Sequence, residues 1–176
     1  MTAKSFEPVV DANTRVLVLG TVPGEESLRR GQYYANPANQ LWRIIYALFD
    51  ARPAPAYEQK ISFIREHGVG LWDVLREAER AGSLDSAIRG EVANDFRPLL
   101  EDYPNIRCLA FNGGKSAKLF RRHIKYQLPQ NLQRIVLPST SPTPGLYVKN
   151  YEEKLEDWAI LLRYLNHNTE ERKARD

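Results

Sequence analysis

Arg15-Val16-Leu17-Val18-Leu19-Gly20-Thr21-Val22-Pro23-Gly24 is an aliphatic run that ends in tight-turn residues. Continuous apolar character is what a strand buried on both faces of a parallel sheet requires. Residues 15–20 therefore read as a central strand and 21–24 as the loop at its C-terminal end. A second run of this kind, 106–111, closes on Asn112-Gly113-Gly114. The first run is followed by Tyr33-Tyr34-Ala35-Asn36-Pro37-Ala38-Asn39-Gln40-Leu41-Trp42, a polar and aromatic segment that opens a helix. Parallel strands deliver their C-terminal loops to one sheet edge, where backbone N–H groups, carboxamides and aromatic faces can meet. Such a pocket suits a flat polar ring: a carboxamide can read the edge of a base, and a tyrosine can stack beneath it.

Working outward, 39–49 reads as a helix, with Leu41, Trp42, Ile44, Ile45, Leu48 and Phe49 on one broad stripe. Asp50-Ala51-Arg52-Pro53-Ala54-Pro55 breaks it, and a helix resumes over 57–66. A short strand is expected near 69–72, leading into a helix through about residue 81, then a loop over 82–94. Asp95 is placed to cap a helix over 95–103, which Pro104 stops. A strand over 106–111, a helix over 114–124, a strand over 134–137 and an amphipathic helix over 150–167 complete the pattern. Alternating strands and helices predict a three-layer α/β/α sandwich around a short, mostly parallel four-stranded sheet. The chain reads as one domain of 176 residues, with its core at about 12–167 and a charged tail at 168–176.

Composition sets bounds. With 43% hydrophobic and 27% charged residues the chain has an ordinary soluble balance. No apolar run approaches the roughly 20 residues that span a bilayer, and the N-terminus lacks a signal-peptide core, so no membrane partner and a cytoplasmic location are expected. The single cysteine, Cys108, excludes an internal disulfide and a multi-cysteine zinc site; inside a strand it reads as a buried, inert thiol. His67, His123 and His167 stand far apart, so neither metal nor cofactor is expected. The net charge of +3 permits nucleic-acid binding without establishing it. Lys115, Lys118, Arg121, Arg122, His123 and Lys125 gather on one helix, which is either a solvated face or a phosphate-facing surface.

Other chemistries fail on spacing. Gly114-Lys115-Ser116 imitates the end of a phosphate-binding loop, but Leu109 stands where that motif needs glycine. There is no Gly-x-Gly-x-x-Gly after the first strand and no Gly-x-Ser-x-Gly elbow.

Four motifs in order, Gly20-Thr21-Val22-Pro23-Gly24, Tyr33 to Trp42, Phe111-Asn112-Gly113-Gly114-Lys115 and Leu137-Pro138-Ser139-Thr140-Ser141-Pro142, resemble the uracil-DNA glycosylase superfamily. The resemblance runs from about Arg15 to Trp158 and is greatest to its hypoxanthine (deoxyinosine) branch, with the mismatch-specific uracil/thymine enzymes next. It implies a monofunctional, monomeric enzyme that hydrolyses the N-glycosidic bond of a flipped base in DNA and leaves an abasic site. It also implies roles. Asn39 would position water, although spacing alone favours a helix cap, and Asn36 is a rival. Tyr34 would stack on the base, or else simply pack beside Tyr33. Asn112 would read the base edge, or else serve as a turn residue. Gly20, Thr21, Pro23 and Gly24 would line the base pocket. Ser139, Thr140, Ser141 and Pro142, with Lys115, would contact DNA, and Leu146 would wedge into the emptied stack.

Two positions depart from the family pattern. Val22 stands where uracil-specific relatives carry an acid and mismatch-specific ones an asparagine, and Ser139 stands where uracil-specific relatives carry histidine. The first departure moves the reading from uracil toward hypoxanthine, and the second removes one candidate for stabilising the leaving base. They also keep open a non-catalytic nucleic-acid binder of the same fold, and a third reading remains, an α/β enzyme acting on free nucleosides.

Overall fold

The computed structural model describes residues 1–81, 87–143 and 146–165. Its centre is a four-stranded, wholly parallel sheet in the order β3-β2-β6-β7, built from β2 (Val16–Gly20), β3 (Val69–Asp73), β6 (Cys108–Asn112) and β7 (Gln133–Leu137). Side chains alternate between the faces of a strand, and the two halves of the core follow that rule. Val16, Val18, Cys108 and Ala110 pack with Leu41, Ile44, Ile45, Ile64, Trp158 and Leu161. These partners come from α2 (Leu41–Ala47), α3 (Tyr57–Glu66), α6 (Tyr151–Trp158) and the 3-10 turn Ala159–Leu161. Leu17, Leu19, Leu109 and Phe111 face the other way, onto Phe96, Leu99, Leu119 and Phe120 of α4 (Phe96–Asp102) and α5 (Gly114–His123). The three-layer sandwich expected from the sequence is the fold observed.

A second sheet was not foreseen. β1 (Thr2–Lys4), β4 (Leu75–Glu79) and β5 (Arg89–Ala93) pair antiparallel in the order β1-β4-β5. Residues 75–79 are thus a strand and not the predicted helix. The misreading has a physical cause: Leu75 and Ala78 are both buried, the i, i+3 spacing of a helix, because irregular pairing with β5 shifts the register between them. β5 has no buried residue, and its apolar residues, Val92 and Ala93, are adjacent and not alternating, so no periodicity marked it within the stretch read as loop; residues 82–86 of that stretch lie outside the described residues.

Asp95 caps α4 as expected, its Oδ1 accepting from the Arg97 N–H at 3.1 Å. The terminal helix is divided into α6, the 3-10 turn and α7 (Leu162–Leu165). Its expected end at His167, the charged tail and Gly145 lie outside the described residues. A short helix, α1 (Glu25–Arg30), follows the first strand loop. Cys108 is fully buried, and burial pushes its thiol up to about 12, the inert state anticipated.

The exposed edge of β3 is covered by the N-terminal segment, with Val9 and Leu71 exchanging backbone hydrogen bonds at 2.8 and 3.0 Å. Gly70 allows that approach. A Cβ there would stand 2.7 Å from the Val9 carbonyl oxygen and 2.9 Å from Thr14 Cγ2. Gly70→Ala is therefore expected to destabilise the fold by about 2 kcal/mol, as overpacked sites do. Gly114→Ala, where a Cβ meets open space, should leave stability nearly unchanged. Urea midpoints of the two variants against the wild type check the contrast.

Candidate active site

Gly20, Asp73 and Asn112 end three neighbouring parallel strands, and the 138–143 loop leaves the fourth. Their shared edge opens into a cleft of about 570 Å³, large enough for a nucleobase and its sugar. The loop after β2 and the 33–39 segment form the opposite wall, so the expected base-pocket residues Gly20, Thr21, Pro23, Gly24, Tyr34 and Asn112 all line one space, with Asn39 beside them.

Asn112 is the hub of this edge. Its Oδ1 accepts from the Thr140 N–H at 2.9 Å, while its Nδ2 donates to Thr140 Oγ1 at 2.8 Å and to Tyr34 Oη at 3.3 Å. Thr140 is completely buried, and its carbonyl accepts from the Gln40 N–H at 2.9 Å. Every polar group of Thr140 is therefore engaged within the protein. Its hydroxyl anchors the loop, and the exposed hydroxyls of that loop belong to Ser139 and Thr143. Ser139 Oγ accepts from the Ser141 N–H, and Ser141 Oγ pairs with Thr143 Oγ1 at 2.8 Å. Pro142 stands exposed beside them.

Tyr34 adopts a left-handed backbone, with φ at 53°, uncommon for a bulky side chain and a mark of strain tolerated at functional sites. The strain brings its hydroxyl to Asn112. Its neighbour Tyr33 is the structural member of the pair: buried, donating from Oη to the Glu7 carbonyl at 3.0 Å. Burial, then the nearby Asp73 charge, holds the Tyr33 phenol far above the usual tyrosine range.

Asn39 Oδ1 accepts from the Leu41 N–H at 3.0 Å, a local bond to the first residue of α2; the N-cap position itself is Gln40, so Asn39 stands one residue before the cap that its spacing suggested. Asn36 makes the same local bond to the Ala38 N–H at 2.9 Å, but Asn36 is exposed whereas Asn39 is half-buried. This local bond does not exclude a role in the cleft. The bond orients the carboxamide and leaves its amide end to offer a donor to water or substrate.

Lys115 lies on the first turn of α5, half-buried and outside the cleft lining, and Leu146 is also outside it. Leu146 and the adjacent Tyr147 are each 96% exposed at the mouth, an unusual position for large apolar groups unless they meet a partner. The basic helix is less available than its sequence suggests. Arg122 and His123 both pair with Glu91 of β5, at 2.9 and 3.1 Å, and Arg29 and Arg30 pair with Glu26. Among the described residues no cluster of His, Cys, Asp and Glu could hold a metal ion.

Three buried ionic side chains in the cleft escaped the sequence reading: Asp73, Arg80 and Lys154. Arg80 donates to the Val22 carbonyl at 2.8 Å, bracing the first loop. Lys154 donates to Gln40 Oε1 at 2.9 Å, and burial lowers its ammonium below the usual lysine range. Lys154 sits on an amphipathic helix and Arg80 just beyond a misread strand, so neither pattern marked them. Asp73 did carry a signal, an acid at the C-terminal end of a buried strand.

The pattern of strands, loops and cleft has a known counterpart. A model of the uracil DNA glycosylase superfamily matches residues 7–162. The chain belongs to that superfamily. A protein of Methanosarcina acetivorans named hypoxanthine DNA glycosylase is 36% identical over 167 residues, covering 93% of this chain and all of the relative. One of the same name from Methanosarcina barkeri is 35% identical over 119 residues, covering 67% of this chain and 75% of its own length. The solution structure of a candidate uracil DNA glycosylase from Methanosarcina acetivorans superposes with a TM-score of 0.78 at 35% identity, covering 95% of this chain and 100% of that one.

The Asn112–Thr140 clamp should be visible in stability. Asn112→Ala strands the buried Thr140 N–H, which costs about 2 kcal/mol and should lower the melting temperature by roughly 4–8 °C for a domain of this size. Asn112→Asp keeps an acceptor for that N–H and should melt closer to wild type. Thermal denaturation of both variants tests the ordering.

Proposed function

We propose that this protein is a DNA glycosylase that releases a deaminated base, hypoxanthine foremost, by hydrolysing its N-glycosidic bond and leaving an abasic site. The observation that carries the reading is the cleft at the parallel-sheet edge, where the Asn39 carboxamide is held in place beside Tyr34 and the strand ends. Two relatives named for hypoxanthine excision, each at least 35% identical, support the choice of base. Damaged DNA is the partner. One chain contains the whole cleft, so a monomer is sufficient.

The mechanism follows from what the cleft contains. A base must leave the helix to enter it, at an unstacking cost of a few kcal/mol that is least for a mispaired base. Tyr34 offers its ring to the extruded base, and Leu146 and Tyr147 stand at the mouth to occupy the gap. As the glycosidic bond lengthens, positive charge grows on the sugar. Val22 is apolar and buried, so it cannot stabilise that charge. A carboxamide does not titrate near neutrality; Asn39 therefore acts by orienting water and by its dipole, not as a full base. Lys154, the buried lysine of the cleft, is engaged with Gln40 Oε1, so no lysine nucleophile is proposed and the strand is expected to stay intact.

The direct test is release of hypoxanthine, uracil, xanthine and 3,N4-ethenocytosine from single- and double-stranded DNA. Hypoxanthine release fastest of the four is the expected result. Salt-sensitive duplex binding without release of any base would instead mark a non-catalytic binder. Asn39→Ala should slow single-turnover excision at least tenfold, about 1.4 kcal/mol of transition-state stabilisation, with duplex affinity little changed; wild-type rates in it and loss in Asn36→Ala would move the role to Asn36. Leu146→Ala should lower excision more from duplex than from single-stranded DNA, because only the duplex has a stack to hold open. Equal losses on both substrates would show general damage to the loop.

A further inference from the structure

The acid at the end of β3 is built into the cleft with care for its space. Asp73 is 5% exposed and pairs in register with Gly20 on β2. A Cβ on Gly20 would lie 2.6 Å from Asp73 Oδ1 and 3.2 Å from Tyr34 Oη. The missing side chain at Gly20 is therefore what lets the carboxyl group and the tyrosine hydroxyl converge over one point of the floor. The backbone beneath is held as well, with Asn94 Nδ2 donating to the Asp73 carbonyl at 2.9 Å. Burying a carboxyl group is unfavourable, and acids kept in a cleft despite that are candidates for function.

The occupancy of Asn112 sharpens the point. Both hydrogens of its amide are donated, to Thr140 and Tyr34, and its oxygen already receives the Thr140 N–H. Asn112 staples the loop. Asp73 lines the same cleft two strands away; an ionised carboxyl group has about four acceptor sites, so it can keep partners within the protein and still accept from a ligand.

We infer that Asp73 is the specificity-determining residue of the cleft, accepting the N1–H of the flipped base; this rests on the glycosylase reading above. Deamination changes the edge of a base in one consistent way. Adenine and cytosine present a ring nitrogen lone pair beside an amino group, whereas hypoxanthine and uracil present a ring N–H beside a carbonyl. A carboxyl oxygen attracts the N–H and repels the lone pair. An acceptor set opposite the ring nitrogen thus favours deaminated bases over their parents, whose amino group it would reach only from a shifted position. Guanine shares the N1–H, so its exclusion falls to the shape of the cleft near its exocyclic amine.

The test compares single-turnover release of hypoxanthine and of 1-methylhypoxanthine, which lacks the N1–H, from otherwise identical duplexes. Wild type is expected to prefer hypoxanthine at least thirtyfold. Asp73→Ala is expected to release hypoxanthine at least tenfold more slowly and the methylated base no more slowly than wild type, collapsing the preference. Mere relief of crowding would speed the methylated base without slowing hypoxanthine, and would overturn the inference. So would hypoxanthine release within threefold of wild type, an equal fall on both bases, or no release of the methylated base by the variant. Thermal melting confirms that the variant is folded, and Asp73→Ser serves the same comparison if Asp73→Ala is not. A wild-type protein that releases no hypoxanthine overturns the proposed activity and this inference with it. A wild type that releases hypoxanthine, with the preference unmoved in the variant, overturns the role of Asp73 alone.

Discussion

The pair of hydrogen bonds between the Asn112 carboxamide and Thr140 joins the end of one strand to the loop leaving the next. Thr140 in turn holds the start of α2 through its carbonyl and the Gln40 N–H, and Gln40 receives the buried Lys154 ammonium from α6. A single buried residue thus ties the sheet edge, the loop and two helices together. In a low-dielectric setting each of these bonds is strong if made and costly if missing. The 138–143 loop is consequently a fixed wall, although it is rich in residues that on their own would favour many conformations.

That rigidity bears on catalysis without a titrating group. A carboxamide that orients water contributes only if its own position varies little, since small misplacements in a reacting geometry carry large rate penalties. Asn39 is fixed from one side by the Leu41 N–H and lies next to Gln40, the residue that anchors α2 to Thr140. The local bond and the proposed role are compatible: the oxygen receives the Leu41 N–H, and the amide end remains for the cleft. Val22 in the same cleft is apolar, so in the proposed reaction the sugar charge is left to dipoles and water.

The second sheet explains how the floor acquires its charged residues. β4 follows β3 after a single residue, Val74, so the chain turns sharply at Asp73 and runs into a strand pairing with the N-terminus. Arg80, at the far end of β4, comes back beneath the first loop and donates to Val22 and Pro23. A helix after β3, as the spacing suggested, would have carried Arg80 elsewhere.

Much of the architecture was legible in the chain itself. Val16 to Leu19 and Cys108 to Phe111 are apolar on both faces, which only a covered parallel strand tolerates. The turn residues after them mark where their loops gather, and Asn39, Tyr34 and Asn112, nominated from that placement together with family resemblance, all line the cleft. Asp95 announced its helix because capping is a local interaction. What the sequence could not disclose depends on contacts between distant residues. β4 looked helical because irregular pairing with β5 put Leu75 and Ala78 in one core. β5 left no pattern because backbone hydrogen bonds, indifferent to side-chain identity, hold it. Whether a carboxamide faces a ligand or a neighbouring loop is decided by which backbone N–H comes within 3 Å of it, and for Asn112 that partner is 28 residues away. Local chemistry determined the strands, caps and candidate side chains; only the packing of β2, β3 and β6 decided that Gly20 would make room for Asp73.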